Sequence, residues 1–176
     1  TYVGQGVALT PDGTVMAVAH QSSPYITTYD WVEGAWVKRP NPASLPTSYG
    51  QGVALSSDGT VMAVVHDSSP RVTTYDWVEG AWVKRPDPAS LPASFGKGVA
   101  LTSDGTVMAV AHNSSPYITI YDWDGEAWVK RPNLTSLPGD DANGIALTSD
   151  GTVMAVVHYD SPRIMTYRNL PFTQIT

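Results

Sequence analysis

Four histidines recur at a constant spacing of 46 residues, at His20, His66, His112 and His158. Imidazole is a common metal ligand, so four at equivalent positions could form a metal-binding ring. Each one, however, ends a short apolar segment and precedes a turn of the Ser-Ser-Pro type. Buried polar groups in such places are usually hydrogen-bonded locally. We therefore predict no metal, and histidines that bond to the following turn and pack on Tyr25 or its equivalent.

An aspartate precedes a glycine at the same interval, at Asp12, Asp58, Asp104 and Asp150. Carboxylates are calcium ligands, but the alternating D-x-D-x-D run of a calcium loop is missing. Asp-Gly between two apolar segments is fully accounted for by the geometry of a tight turn. The sequence predicts a structural role for these aspartates.

Six tryptophans also repeat, in pairs separated by four residues. An indole face could bind a sugar ring, and the same pair could equally face each other across a hairpin at a sheet edge. We favour the structural interpretation and keep the aromatic rim as the alternative binding site, formed by Trp31, Trp36, Trp77, Trp82, Trp123 and Trp128.

The most variable positions lie immediately after each histidine. Loops on one face of a repeat array commonly carry the binding function, so these turns are our first choice for a binding surface. Drift at an exposed loop explains the variation as well as ligand selection does. The surface comprises His20, Gln21, Tyr25, His66, Asp67, Arg71, His112, Asn113, Tyr117, His158, Tyr159 and Arg163.

No catalytic motif accompanies these residues. The sequence contains no Gly-x-Ser-x-Gly elbow, phosphate loop or His-Glu-x-x-His pair. Catalysis needs one asymmetric set of groups, whereas a repeat offers equal sites suited to multivalent binding. We predict a protein that is not an enzyme and has no cofactor.

The amino-acid composition limits the classes of molecule that the protein is expected to bind. The net charge is −6 and no basic tract occurs, which argues against nucleic acid. The recurring pair Lys38-Arg39 lies near Asp30 and Glu33, and we expect it to form a solvated, partly neutralised edge. Cysteine is absent, and no apolar run is long enough to span a membrane.

The whole chain is one repeated unit. Residues 4–49 return as residues 50–95 with 9 substitutions, and the unit returns twice more in residues 96–141 and 142–176. Within the first unit, short β-branched or aromatic segments at 7–9, 15–19, 25–31 and 35–39 are separated by Gly and Pro turns. Four short antiparallel strands in a fixed period are typical of a propeller blade. We predict an all-β propeller with four 46-residue blades.

The segment from Val7 to His20, with the later Tyr25 to Trp31, resembles the WD-repeat pattern of apolar strand, Asp-Gly turn, apolar strand and a third strand ending in Trp and Asp. It is more specifically similar to propeller repeats of bacteriophage structural and tail-associated proteins. The resemblance covers the whole chain and implies a structural or binding role. The chain lacks Gly-His before the first strand and reads Asp30-Trp31 in reverse order, so the hydrogen-bonded tetrad of WD repeats is not carried over.

Closure of the ring is the remaining question. Residues 171–175 fall at the fourth-strand position, so the sequence predicts four whole blades and no strand shared between the ends. A four-residue turn at 21–24 would pair Ala19 with Ile26, and position 19 alternates between Ala and Val from blade to blade. This alternation favours an even number of blades. Two hypotheses remain, namely a four-bladed monomer and an eight-bladed ring of two chains.

We therefore expect a non-catalytic propeller module for display, adhesion or assembly, of a phage-like or cell-surface protein located on a virion or at the extracellular surface. Its partner would be a protein or a glycan, with self-association or a larger assembly. The alternative is a multivalent carbohydrate-binding propeller, and an enzyme or a recently amplified array without a ligand are the further possibilities.

Overall fold

The computed structural model describes residues 3–168, which fold entirely into β-strands and turns without a helix. The prediction of an all-β, four-bladed propeller array is confirmed. The strands are β1 Gly4–Leu9, β2 Val15–His20, β3 Ile26–Val32, β4 Ala35–Lys38, β5 Gly50–Leu55, β6 Val61–His66, β7 Val72–Val78, β8 Ala81–Lys84, β9 Gly96–Leu101, β10 Val107–His112, β11 Ile118–Trp123, β12 Trp128–Lys130, β13 Ala142–Leu147, β14 Val153–His158 and β15 Ile164–Arg168.

Each 46-residue unit forms one antiparallel blade in which sequential strands are hydrogen-bonded neighbours. Blade 1 has the order β1-β2-β3-β4, blade 2 has β5-β6-β7-β8, and blade 3 has β9-β10-β11-β12. Blade 4 contains β13-β14-β15 among the described residues. The fourth strand predicted at 171–175 lies outside them.

The register agrees with the predicted turn. Ala19 pairs with Ile26, and His20 N–H donates to the Tyr25 carbonyl at 3.0 Å. Two boundaries differ from the sequence prediction. The first strand begins at Gly4 instead of residue 7, because an irregularity between Gly4 and Gly6 lets the chain stay paired with β2. The third strand begins at Ile26, since Tyr25 has a φ of 68° and cannot continue an extended strand.

The first strands of successive blades line the centre of the array and contact one another in the order β1, β5, β9, β13. The approach is so close that a Cβ on Gly6 would lie 3.0 Å from the Cα of Gly52. A Cβ on Gly98 would likewise lie 3.1 Å from the Cα of Gly144. Any residue other than glycine would force the inner strands apart.

The core lies between blades. We call the surface of a blade that meets the next unit its front face, and the opposite surface its rear face. Ala17, Ala19 and Ile26 on the front of blade 1 pack against a larger set on the rear of blade 2, including Met62 and Tyr75. Small residues on one face thus match large ones on the other, as dense packing requires. The same contact recurs between blades 2 and 3 and between blades 3 and 4.

An arginine closes the outer edge of each interface. Arg39 is 8% exposed and forms an ion pair with Asp30 at 2.6 Å, so the expectation of a solvated edge is wrong for this residue. Its guanidinium lies 4.2 Å from the centre of the Trp77 ring in the next blade, and it donates to the Gly59 carbonyl at 3.2 Å. The planar guanidinium can stack and donate at once, which explains its burial between the two blades.

An indole–hydroxyl hydrogen bond lies beside the arginine. Trp82 Nε1–H donates to the Thr28 hydroxyl of the preceding blade at 2.8 Å, and Trp128 donates to Thr74 at the same distance. Both indoles and both hydroxyls are buried. The outermost faces are different, because no extensive contact joins β13 to β1 among the described residues.

We expect Trp82→Phe to lower the free energy of unfolding by about 1–3 kcal/mol, because it leaves the buried Thr28 hydroxyl without its donor. Thr28→Val should cost a similar amount. The double variant should cost clearly less than the sum, since the two substitutions remove the same bond. Urea unfolding of the four proteins measures the coupling, and strictly additive losses would contradict the assignment.

Candidate functional site

The variable turns between the second and third strands lie at one end of the blades and form what we call the turn face, comprising residues 21–25, 67–71, 113–117 and 159–163. Each turn is closed by main-chain hydrogen bonds, such as Tyr25 N–H to the Ser22 carbonyl at 2.8 Å and Arg71 N–H to the Ser68 carbonyl at 2.7 Å. A cis Ser–Pro bond precedes the last residue of every turn. The four turns therefore present equivalent positions to solvent.

The last residue of each turn has a left-handed backbone. Its φ is 68° at Tyr25, 71° at Arg71, 66° at Tyr117 and 68° at Arg163. Glycine adopts this conformation without penalty, whereas other L-residues pay about 1–2 kcal/mol. All four positions nevertheless hold Tyr or Arg instead of glycine.

In blades 1 and 2 this side chain contacts the aromatic residue that leads into the next blade. The Tyr25 and Tyr49 rings meet edge to face with centres 6.1 Å apart. The Arg71 guanidinium lies 5.9 Å from the centre of the Phe95 ring. Tyr49 and Phe95 remain exposed, as does Tyr159. The turn face thus carries a row of aromatic rings and guanidinium groups in contact with solvent.

The four histidines form the buried base of these turns. His66 Nε2 lies 2.9 Å from the Thr73 hydroxyl, and His112 Nε2 lies 2.9 Å from the Thr119 hydroxyl. The predicted partner was the Ser-Ser turn, and the structure adds a threonine on the neighbouring strand that sequence reasoning missed. In blade 4 this position is Met165, which has no hydroxyl to offer His158.

Each histidine lies in its own blade at the end of the second strand, while the first strands line the centre. Among residues 3–168, no group of three or more His, Cys, Asp or Glu side chains is arranged to hold a metal ion. The histidines therefore help to hold the turns, and the variable residues 21 and 25 with their equivalents are the parts of the predicted site that reach solvent.

Burial lowers the pKa of His66 and of His112 to about 4, from an ordinary value near 6.5. A main-chain contact with the Ser-Ser turn, at Ser68 or Ser114, partly opposes this effect. Burial also lowers the pKa of His20. The imidazoles of His20, His66 and His112 are thus neutral in the folded protein around pH 7.

This shift predicts a loss of stability in mild acid. At His66 and His112 the unfolded chain binds a proton below about pH 6.5, and the folded chain only near pH 4. The free energy of unfolding should therefore be highest above pH 6.5 and fall as the pH drops toward 4, by up to about 3 kcal/mol for each of these two histidines. His66→Gln/His112→Gln should flatten this decline, measured by urea unfolding between pH 5 and 6.5 so that the carboxylates stay ionised. If the free energy of unfolding depended on pH equally in the variant and the wild type, the assignment of this decline to the two histidines would be wrong.

The tryptophans pair across the hairpin between the third and fourth strands, in the arrangement we favoured. Trp31 and Trp36 lie directly opposite each other with ring centres 5.2 Å apart. The later pairs are similar, at 5.0 and 5.3 Å. Trp82 and Trp128 are buried between blades, whereas both members of the first pair are exposed. Of the aromatic rim, only Trp31 and Trp36 present open indole faces.

The aspartates of the first turn hold the main chain. Asp12 accepts hydrogen bonds through one oxygen from the Thr10 hydroxyl at 2.6 Å and from the Thr14 amide at 3.0 Å. In blade 4 the Thr148 hydroxyl and then the Thr152 amide lower the pKa of Asp150 to about 2. These contacts provide a structural role for each carboxylate, as the Asp-Gly turn predicted.

The fold and the turns define a WD40-like β-propeller. No family model matches the chain, and no curated protein matches it. Among solved structures, it superposes on U3-55K with a TM-score of 0.72 and 13% identity, covering 96% of this chain and 49% of that one. On the RRP9 WD40 repeats the TM-score is 0.67 with 14% identity, covering 90% and 46%.

A putative 6-phosphogluconolactonase from Bacteroides uniformis is similar to the same degree, with a TM-score of 0.68, 15% identity and coverage of 96% and 51%. The chain thus spans about half the length of these structures. Identities this low establish the fold alone. The described residues contain no helix that could cross a membrane.

The left-handed turn residue gives a test of how the turn face is built. Arg71→Gly and Arg71→Ala both remove the contact with Phe95, but only glycine relieves the backbone. We expect the glycine variant to be more stable than the alanine variant by about 1 kcal/mol. Thermal and urea unfolding provide the comparison. An alanine variant as stable as the glycine variant would show that the turn is not under strain at this position.

Proposed function

We propose that this propeller is a non-catalytic protein-binding module and that the turn face is its contact surface. The surface combines exposed Tyr and Phe rings with arginine, the residue types that are enriched at protein interfaces and supply most of their binding energy. Its residues project from short turns held by a rigid β-scaffold. Little ordering would be needed on binding, which favours affinity.

The observation that carries the proposal is the left-handed turn residue. The blades are nearly identical elsewhere, yet none has the glycine that the backbone would prefer at this point. Instead the blades present Tyr25, Arg71, Tyr117 and Arg163 in turn. Backbone strain retained in an exposed loop is a common mark of a functional site. A partner that contacts several blades would gain from their avidity.

Acidic residues in these turns affect which class of partner would bind. Asp67, which belongs to the same turn as Arg71, accepts a hydrogen bond from the Gln51 side chain at 3.0 Å. The turn face is thus not uniformly basic, in line with the net charge of −6. This mixed surface supports a protein partner over nucleic acid.

The sequence resemblance extends the proposal to the setting. A phage-like or cell-surface protein would use such a module for display, adhesion or assembly on a virion or at the extracellular surface. A virion or fibre domain encoded beside this module would support that setting, whereas a neighbouring metabolic enzyme would argue against it.

A glycan-binding role is the second candidate, because Trp31 and Trp36 expose their indoles at the end of the array. Sugar rings stack on such faces through their C–H surfaces. A glycan array probed with the wild type and with Trp31→Ala would test it. Binding that disappears in the variant favours the glycan, and an array without signals counts against it.

The main test is selection of a displayed random-peptide library on the chain, followed by affinity measurement of the enriched peptides. We expect the variant with glycine at all four left-handed turn positions (Tyr25→Gly, Arg71→Gly, Tyr117→Gly and Arg163→Gly) to bind at least about tenfold more weakly, since every such contact is worth more than about 1 kcal/mol. Its unfolding midpoint should not fall sharply, because glycine suits the backbone.

The control is Glu33→Ala/Glu79→Ala/Glu126→Ala, which changes exposed acids in the turns after the third strands, at the other end of the blades. It should leave peptide binding unchanged. Peptides that bind the glycine variant as tightly as the wild type, or that lose affinity only in the glutamate control, would overturn the turn face as the contact surface.

A further inference from the structure

The rear face of blade 1 carries the same kinds of residues as the buried rear faces of the later blades. No preceding blade covers it among the described residues. Val7 is 65% exposed and Leu9 55% exposed, whereas Val53 at the position of Val7 is 8% exposed. Trp36 is 37% exposed, against 3% for the equivalent Trp82. An apolar surface of this kind is costly in water and marks an interface.

The front face of blade 4 is uncovered in the complementary way. Val157 is 47% exposed and Ile164 is 52% exposed. The residues at the same positions in blade 1, Ala19 and Ile26, are completely buried by blade 2. Among residues 3–168, blades 1 and 4 thus each expose one face, and the two faces correspond to the two halves of the interface that forms three times between the blades.

The Trp–Thr hydrogen bond shows that these two faces fit each other. A blade with a hydroxyl at the Thr28 position is followed by a blade with Trp at the Trp82 position in two of the three internal interfaces. The third interface lacks this bond, because Ile120 stands at the position of the threonine. Blade 4 regains the hydroxyl with Thr166, which is exposed, and blade 1 offers the exposed Trp36.

The inner strand of blade 4 and the first turn of blade 1 also have room for a neighbouring blade. A Cβ on Gly6, Gly52 or Gly98 would press on the next inner strand, whereas a Cβ on Gly144 would meet only Val157 of its own blade. In the first turn, a Cβ on Gly59 would lie 2.8 Å from Val15 of the preceding blade, but one on Gly13 would have nothing within 4 Å. Gly13 and Gly144 thus lie open at the positions where the equivalent glycines of the other blades approach a neighbouring blade.

We propose that two copies of this chain assemble head to tail into an eight-bladed ring. The front face of blade 4 in each copy packs against the rear face of blade 1 in the other, so two equal junctions close the assembly. Each junction continues the interface already present between successive blades, with Thr166 accepting a hydrogen bond from the partner's Trp36. The chain covers 46–51% of the propellers it matches, so two copies supply a ring of their size. Eight blades lie within the usual range.

A cavity of about 280 Å³ lies on the rear of blade 1, lined by Val18, His20, Tyr29 and Lys38. On blade 2 the equivalent His66 and Tyr75 contact the segment that connects the first two blades, at the Thr47 hydroxyl and the Ser44 carbonyl. This assembly is independent of the proposed protein-binding role, because the end faces and the turn face share none of the residues on which the two proposals rest.

The test is the native mass of the complete chain, measured by sedimentation velocity and native mass spectrometry. We expect twice the 18.8 kDa of one chain. Val7→Asp and Ile164→Lys each place a charge in both junctions of a homodimer, and each should shift the mass to that of one chain. Both sites are exposed in the single chain, so its unfolding transition should be retained. Val83→Asp changes an equally exposed valine on β8 away from the end faces and should remain at twofold mass.

A mixture of the two charged variants tests whether the chains associate head to tail. One junction then carries both substitutions with opposite charges, and the other carries neither, so dimer should reappear. A wild type with the mass of one chain, a larger or concentration-dependent series of masses, or a mixture that stays monomeric would each overturn the eight-bladed ring.

Discussion

The packing of one blade against the next is the interaction on which the whole molecule depends. A single blade of four short strands is covered on neither face, so its apolar residues are buried only when a neighbour supplies the other side. Small residues such as Ala17 and Ala19 meet large ones such as Met62, and Arg39 covers the outer edge through Asp30 and the indole of Trp77. The stability of each blade is therefore a property of its neighbours more than of its own strands.

This constraint also positions the candidate binding surface. The turn face is rigid because its histidines are buried by the same interfaces and lie within 2.9 Å of the Thr73 and Thr119 hydroxyls. The Tyr25 carbonyl lies so close to Gly50 of the next blade that a Cβ there would collide with it, and the Arg71 carbonyl lies similarly close to Gly96. The contact residues thus project from a surface that the core holds in place, and their left-handed backbone can be tolerated there.

Much of the fold could be predicted because the 46-residue period is evident in the sequence and Gly and Pro residues mark the turns between the strands. The Ala19–Ile26 pairing followed from the length of one turn, and the confirmed register bears it out. The burial of Arg39 could not be predicted, since its partner Trp77 lies 38 positions away in the sequence and comes close only when two blades pack. The threonine partner of His66 was missed for a related reason, because the bond crosses between strands on one face. Local patterns reveal strands and turns, whereas contacts between blades depend on which face each residue occupies.

The residues that alternate from blade to blade can be related to the two exposed end faces. Position 25 reads Tyr, Arg, Tyr, Arg, and position 19 reads Ala, Val, Ala, Val. A head-to-tail junction places Tyr25 and Ala19 of one copy after Arg163 and Val157 of the other, so both alternations continue through the junction without a fault. An odd number of blades would put two like residues side by side at one junction. The same two-blade period therefore organises the core, at position 19, and the turn face, at position 25. A ring assembled from two chains would present four equivalent Tyr–Arg pairs to its partner.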